Sequence, residues 1–285
     1  EKFQIVEKSS KCVIEEVDVA QVGVLCHKGA VFLHQRESYL VISIDIASKY
    51  VNVVKPANLR YYTVPRVQLT FEELNVALTQ NLGGGMLKLQ HGDARLYQRT
   101  VEFKKLKYFY TETSEDQEFA QGSFAVDFPP YAFVSKGVWL DISLSFVSEL
   151  YTELSGPLED SLSAASFLLH SCISFFVTSG FRDIRAGFVV PRQDEGYLGH
   201  DSPRLFWVDA LAGGNGISER VYDHFAQIVQ RACEIVRECS CTSGCPSCVV
   251  SPSVQEGQSP NKKGAKLLLD MMLSMCKKAS PKSEE

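Results

Sequence analysis

Cys239-Ser240-Cys241-Thr242-Ser243-Gly244-Cys245-Pro246-Ser247-Cys248 places four cysteines in the pattern C-x-C-x3-C-x2-C. Spacing this tight lets one turn bring all four sulfurs to a point about 2.3 Å from a tetrahedral zinc ion. Gly244 opens backbone angles closed to other residues, and Pro246 stiffens the knuckle between Cys245 and Cys248. Four thiolates leave no position for water or substrate, so the expected site is a structural Zn2+ at Cys239, Cys241, Cys245 and Cys248. The alternatives are two disulfides, a set of unpaired thiols, or a C-x2-C redox pair. Bridges are favoured in small secreted domains, whereas this chain has 285 residues, nine cysteines and no signal peptide. A redox motif needs only two sulfurs in a sheet-associated context. A reducing compartment follows, with Cys12, Cys26, Cys172, Cys233 and Cys276 expected as buried apolar residues.

With 45% hydrophobic and 11% aromatic residues, the chain buries a sizeable core in one large domain or two subdomains. A net charge of -5 argues against a general nucleic-acid-coating surface and leaves room for a local basic strip. No apolar run is long enough to span a bilayer. The first residues, Glu1-Lys2-Phe3, carry no Met, and the expectation is a piece of a longer protein.

The fold class expected is α+β: a mostly antiparallel N-terminal sheet, buried helices in the C-terminal half, and the four-cysteine knot between two helices. The division expected is a β-rich lobe over 1–111, an acidic loop over 112–123, an α/β lobe over 124–276 with the knot at 239–248, and a tail over 277–285. Alternating apolar and polar positions predict strands at 3–7, 13–19, 22–25, 31–34, 39–45, 51–55 and 61–66. Leu, Glu and Ala over 70–82 predict a short helix stopped by Gly83-Gly84-Gly85. Strand character returns over 87–110, where Arg95, Arg99, Lys104, Lys105 and Lys107 interleave with Tyr97, Val101, Phe103, Tyr108 and Phe109. This is the most basic and aromatic stretch. Its Arg95, Arg99, Lys104 and Lys105, with Tyr61, Tyr62 and Arg66, are the candidate single-stranded DNA contacts, through phosphate attraction and base stacking. The bland reading of the same residues is a solvated strand face, with Tyr61 and Tyr62 straddling a sheet. Further on, 138–142 reads as a buried strand and 162–177 as a core helix carrying His170. A strand over 204–209 leads to Gly213-Gly214-Asn215-Gly216, which either cradles an anion or lets helix and strand approach closely. Apolar residues from Val221 to Val236 at helical spacing then run into the knot, and 265–276 forms a last helix.

Taken together, these segments resemble the C-terminal zinc-binding domain of superfamily 2 DNA helicases of the Hrq and mitomycin repair factor A type. The carrying stretches are Gly29 to Gln35 with Tyr39-Leu40-Val41, Tyr61 to Arg66, Trp139, Gly213 to Gly216, and above all Cys241 to Val249 followed by Ser251-Pro252 and Asn261. The resemblance covers most of the chain and implies Cys239, Cys241, Cys245 and Cys248 as zinc ligands. Two departures stand out: Ala212 precedes Gly213 where the family often has Pro, and Ser253 and Val254 stand where a further Cys commonly follows Ser-Pro. By this resemblance the helicase motor lies upstream. The chain contains no Walker A sequence and no Asp-Glu-x-His box, so ATP and Mg2+ belong to that motor.

The function expected is a non-catalytic accessory domain of an ATP-dependent 3′–5′ DNA helicase serving interstrand crosslink repair. Its partners are the motor domains in cis, single-stranded DNA and DNA repair proteins, with no membrane; its compartment is the nucleus in a eukaryote and otherwise the cytoplasm. A protein-interaction platform that does not touch DNA is the second reading. A free-standing enzyme using Asp183, His170 or His200 is the third, and no spacing pairs a nucleophile with a base.

Overall fold

The computed structural model describes residues 1–107, 122–191, 201–251 and 261–279. Tyr108, Phe109, residues 112–121 of the expected acidic loop, His200, Ser253, Val254 and the last six residues lie outside the described residues. The chain divides into two compact units, one of residues 1–69 and 97–132, the other of residues 70–96 and 133–285.

The first unit holds β1 (Lys2–Glu7), β2 (Val13–Asp18), α1 (Val19–Leu25), β3 (Val31–His34), β4 (Glu37–Asp45) and β5 (Tyr50–Val54). The five strands form a sheet in the order β2-β1-β5-β4-β3. It is antiparallel except where β1 and β5 run parallel. Alternation fixes its core: Phe3 and Ile5 on β1 and Val51 and Val53 on β5 point inward at every second position and pack with Val17, Val22, Phe32 and Val41. The stretch 22–25, expected as a strand, is instead the end of a helix. Asp18 caps it by accepting the Ala20 N–H at 3.0 Å, and that local bond outcompetes β-branched propensity over so short a run.

The second unit is a sheet covered on one face by helices. Its strands are β6 (Tyr61–Leu82), β7 (Leu87–Lys107) and β9 (Tyr131–Ile142), each of which carries residues of both units, with β10 (Ile184–Val189) and β11 (Arg204–Asp209). They order as β10-β11-β9-β7-β6, and the short β8 (Ser123–Ala125), which belongs to the first unit, pairs the first-unit end of β7 at Glu102–Lys104. Residues 70–82 are therefore strand, against the expected helix. Their Leu, Glu and Ala favour helix only weakly, and pairing along β7 overrides that preference. Gly83-Gly84-Gly85 is the hairpin turn: all three have positive φ, at 56°, 70° and 94°. A Cβ on Gly83 would run into the Met275 side chain.

The helices are α2 (Leu144–Tyr151), α3 (Leu158–Ile173), α4 (Ile217–Asp223), α5 (Phe225–Glu238) and α6 (Lys262–Ala279). The helix expected from Val221 onward is broken at His224, whose φ of -101° and ψ of 12° interrupt the turn between α4 and α5. On α5, Phe225, Ile228, Val229, Ala232, Cys233 and Val236 recur at helical spacing and are buried. They pack with Leu162, Leu169 and Ile173 of α3, Leu268, Leu269 and Met272 of α6, and Leu87, Leu89, Leu140, Leu205 and Trp207 of the sheet. The other sheet face holds Phe71, Trp139 and Phe206 in ring contact, with the Arg204 guanidinium carbon 5.4 Å from the Phe71 centroid. Arg204 is 1% exposed and donates to Asp141 and, at 2.9 Å, to Glu73. Among the described residues, no helix is long and apolar enough to cross a membrane.

Candidate metal centre

Helix α5 ends at Cys239, whose N–H still bonds the Ile235 carbonyl at 3.1 Å while its ψ of 120° turns the chain away. Gly244, with φ of 119°, carries the chain into the second half of the knot. There the Cys245 carbonyl accepts the N–H of Cys248 at 3.0 Å and of Val250 at 3.1 Å, closing a tight turn. Cys248 and Val249 are buried against the helical core, which anchors this half of the knot.

The four Sγ atoms all lie within 4.8 Å of one another. Four of the separations are 3.4 Å (Cys239–Cys241), 3.5 Å (Cys239–Cys245), 3.5 Å (Cys241–Cys248) and 3.6 Å (Cys245–Cys248). A tetrahedron with arms of about 2.3 Å has edges of about 3.8 Å, and these four separations stand within a few tenths of that length. Distances this long exclude disulfides among those pairs in this structure. Besides the thiols themselves, the Cys245 N–H donates to Cys248 Sγ at 3.3 Å and Lys262 Nζ to Cys241 Sγ at 3.3 Å. Burial pushes the Cys241 thiol up, and hydrogen bonds from Cys239, Cys248, Lys262 and Cys245 outweigh it, bringing the group down to about 6. Cys248 moves the other way, to about 12, chiefly through burial. Thiolate character at one sulfur and a donor set of four soft ligands fit a zinc ion.

The other cysteines separate as buried thiols and one exception. Burial raises Cys26, Cys172 and Cys233 to about 12 and Cys276 to about 11, which keeps them protonated and unreactive. Cys12, expected to be buried, is exposed in the turn between β1 and β2.

The Gly213–Gly216 loop does hold an anion, and the anion is the chain's own Asp209. Its Oδ2 accepts the N–H groups of Asn215 at 2.9 Å and Gly216 at 3.0 Å, and its Oδ1 that of Ser218 at 2.7 Å. Positive φ at Gly213, Gly214 and Gly216 aims these donors inward. The end of β11 is thereby fastened to the start of α4. His91 Nε2 lies 3.4 Å from Ser218 Oγ, so a serine, a histidine and an aspartate meet here. Ser218 is wholly buried and the Asp209 oxygens are occupied by backbone donors, which makes the trio structural.

The enzyme candidates fare likewise. Asp183 Oδ2 accepts the Gly180 N–H at 2.7 Å and so shapes a turn. His170 is 9% exposed and stacks on Phe181 with centroids 4.0 Å apart, and burial lowers its pKa to about 4.

Of the expected DNA contacts, Arg95 belongs to one unit, and Tyr61, Tyr62, Arg66, Arg99, Lys104 and Lys105 to the other. On β7, Ala94, Leu96, Gln98 and Thr100 are buried while Arg95 and Arg99 alternate with them on the opposite face. Arg95 pairs with Glu72 at 2.9 Å and Arg66 with Glu102 at 2.6 Å, so both cations are partly neutralised. Arg99 is exposed. Lys105 Nζ lies 5.1 Å from the Tyr61 ring centroid and 4.6 Å from that of Phe124. Phe124 is 44% exposed and stacks on Phe103. Tyr61 and Tyr62 are both half-buried, rather than one in and one out. Sequence reasoning missed Phe124, Asp209, Arg204 and Lys262. For Lys262 the signal was present: two lysines open a helix in the turn where acidic residues are usual.

Residues 165–249, which include all four cysteines of the knot, match the family model of the MrfA Zn-binding domain. The chain is 26% identical over 237 residues to the uncharacterized ATP-dependent helicase YprA of Bacillus subtilis, covering 83% of this chain and 29% of that protein. It is 20% identical over 281 residues to the ATP-dependent helicase HRQ1 of Saccharomyces cerevisiae, covering 96% of this chain and 25% of that protein. The chain thus spans about a quarter to a third of the length of these relatives. Among solved structures, the DUF1998 helicase MrfA bound to DNA superposes with a TM-score of 0.59 at 25% identity, covering 95% of this chain and 34% of that one. MrfA described without DNA gives 0.57 at 20% identity, with 96% and 34% covered, a likeness of fold.

Proposed function

From a chain that carries an MrfA Zn-binding domain and is similar to Hrq1- and YprA-type helicases, we propose a non-catalytic accessory domain of an ATP-dependent 3′–5′ DNA helicase that serves interstrand crosslink repair. The observation that carries this reading is the cluster of four sulfurs, all within 4.8 Å of one another, inside the matched stretch. Cys239, Cys241, Cys245 and Cys248 hold a structural Zn2+, which cross-links the end of α5 to the following turn and supplies folding free energy rather than chemistry. ATP and Mg2+ act in the motor domains, joined in cis, and the compartment is reducing: the nucleus in a eukaryote, otherwise the cytoplasm.

Single-stranded DNA is engaged through Tyr61, Tyr62, Arg66, Arg95, Arg99, Lys104 and Lys105. The support for this contact is the Lys105 ammonium set against the rings of Tyr61 and exposed Phe124, an arrangement suited to base stacking beside phosphate. Fluorescence anisotropy with a labelled single strand at low and moderate salt tests it. Binding that weakens as salt rises, and weakens further in Lys105→Glu, is expected because each phosphate contact releases counterions. Salt-independent binding, or none, would sink the DNA assignment.

One observation favours the interaction-platform reading. Phe175, Phe176 and Phe181, at 59%, 36% and 56% exposure, lie close in sequence, and large exposed rings mark surfaces that partners cover. Zinc-loaded chain without affinity for DNA would favour a repair protein or the motor as that partner.

A further inference from the structure

The cluster's charge needs a counterpart. Four thiolates around a divalent ion carry a net charge of about -2, and the cluster stands at the C-terminal end of α5, where free carbonyls add negative partial charge. Lys262 answers both. Its Nζ donates to the Cys239 carbonyl at 2.7 Å, the Cys241 carbonyl at 2.6 Å and Cys241 Sγ at 3.3 Å. An ammonium has three N–H donors, so each has an acceptor at the knot.

The position of this lysine is otherwise unfavourable. It opens α6, whose first turn holds no acidic residue, although the positive end of a helix repels cations. What stabilises a lysine there is the pair of carbonyls it bonds together with the negative charge of the zinc-loaded thiolates beside it. Its backbone is also held in place. Asn261 caps α6 by accepting the Gly264 N–H at 2.8 Å, and donates to the Ser155 carbonyl at 2.8 Å and to Ser161 Oγ at 3.2 Å. A Cβ on Gly264 would strike Ser161 and Asn261, so the start of α6 lies tight against α3. The lysine therefore reaches the sulfurs from a fixed anchor.

We propose that Lys262 is the resident countercation of the metal centre and the latch that ties α6 to it. It retards loss of the ion by offsetting thiolate charge, and it passes the state of the knot to a helix outside the knot's own sequence. The inference rests on zinc occupancy and deepens it.

The test is zinc release from the whole chain to a metallochromic chelator, with amide exchange followed across α6. Lys262→Gln still offers N–H donors to the two carbonyls but no charge; Lys262→Arg keeps the charge. Lys263→Gln removes a neighbouring charge. About tenfold faster release and faster α6 exchange are expected in Lys262→Gln, the scale typical of lost outer-shell partners. Lys262→Arg and Lys263→Gln stay near the parent rate. Equal release from the Gln and Arg variants at 262, or equal acceleration in Lys263→Gln, overturns the proposal while zinc binding stands. A parent chain purified without zinc overturns both readings together.

Discussion

Asp209→Asn isolates the role of the strap that joins β11 to α4. The change conserves volume, so packing is preserved while the carboxylate's charge and one of its two acceptor oxygens are removed. Asp209 is fully buried and accepts three backbone N–H groups, two at Oδ2 and one at Oδ1. An amide offers an acceptor on one side only. With its oxygen toward Asn215 and Gly216, its NH2 faces the Ser218 N–H, which is left buried without an acceptor. Losing a bond to a charged acceptor and stranding that donor costs about 2–4 kcal/mol. At the usual sensitivity of a domain of this size, the midpoint falls by roughly 4–16 °C. Intrinsic fluorescence reports it cleanly, because the chain's two tryptophans, Trp139 and Trp207, both lie in the sheet that the strap closes. Asp209→Ala, which removes all three acceptors, should fall further. A midpoint unchanged in Asp209→Asn would refute the strap as a stabilising element, and an Asn variant worse than Ala would refute the accounting.

Other outcomes follow from the same contacts. Cys245→Ser should lose stoichiometric zinc by mass spectrometry and shift the melting of the helical unit downward; unchanged metal content and melting would end the structural-knot reading. Arg204→Met removes the buried cation that bonds Asp141 and Glu73 and should cost about 2–3 kcal/mol in urea titration, with part regained on adding Asp141→Asn and Glu73→Gln. His170, held near 4 by burial against an ordinary value of 6.5, binds fewer protons folded than unfolded, so stability is complete above 6.5 and falls as pH drops toward 4. That gap is worth about 3 kcal/mol at most, and His170→Leu should remove the difference when stability is compared across that range; identical pH profiles for parent and variant would contradict it.

The four-cysteine cluster was legible because its information is local. Ten residues hold all four cysteines, and the flanking periodicity marked the end of α5 ahead of the knot and the body of α6, which runs three residues beyond the expected 265–276 at each end. The strands of the first sheet were legible for the same reason, since alternation at Phe3, Ile5, Val51 and Val53 needs no distant partner to be read. What stayed hidden depends on contacts far along the chain. Residues 70–82 carry helical composition and become strand because β7 offers a ladder. Arg204 reads as a surface cation until Asp141 and Glu73 enclose it from 63 and 131 positions away. The glycine loop before α4 declared an anion-binding shape, but nothing in its own sequence said that the anion is the aspartate six positions earlier.

The way the chain shuttles between its two units bears on how the protein can be dissected. It passes from one unit to the other at 69–70, 96–97 and 132–133, so neither unit is a continuous piece of polypeptide. The stretch 165–249 that matches the zinc-domain family lacks Leu87, Leu89 and Leu140 from the sheet and Leu268, Leu269 and Met272 from α6, all part of one core. Expressed alone, it would present bare apolar helices to water and aggregate, zinc or no zinc. The four-cysteine signature is thus a label on a larger folding unit, and any excision that respects the chemistry must begin no later than the first residues of the second unit, near Thr70.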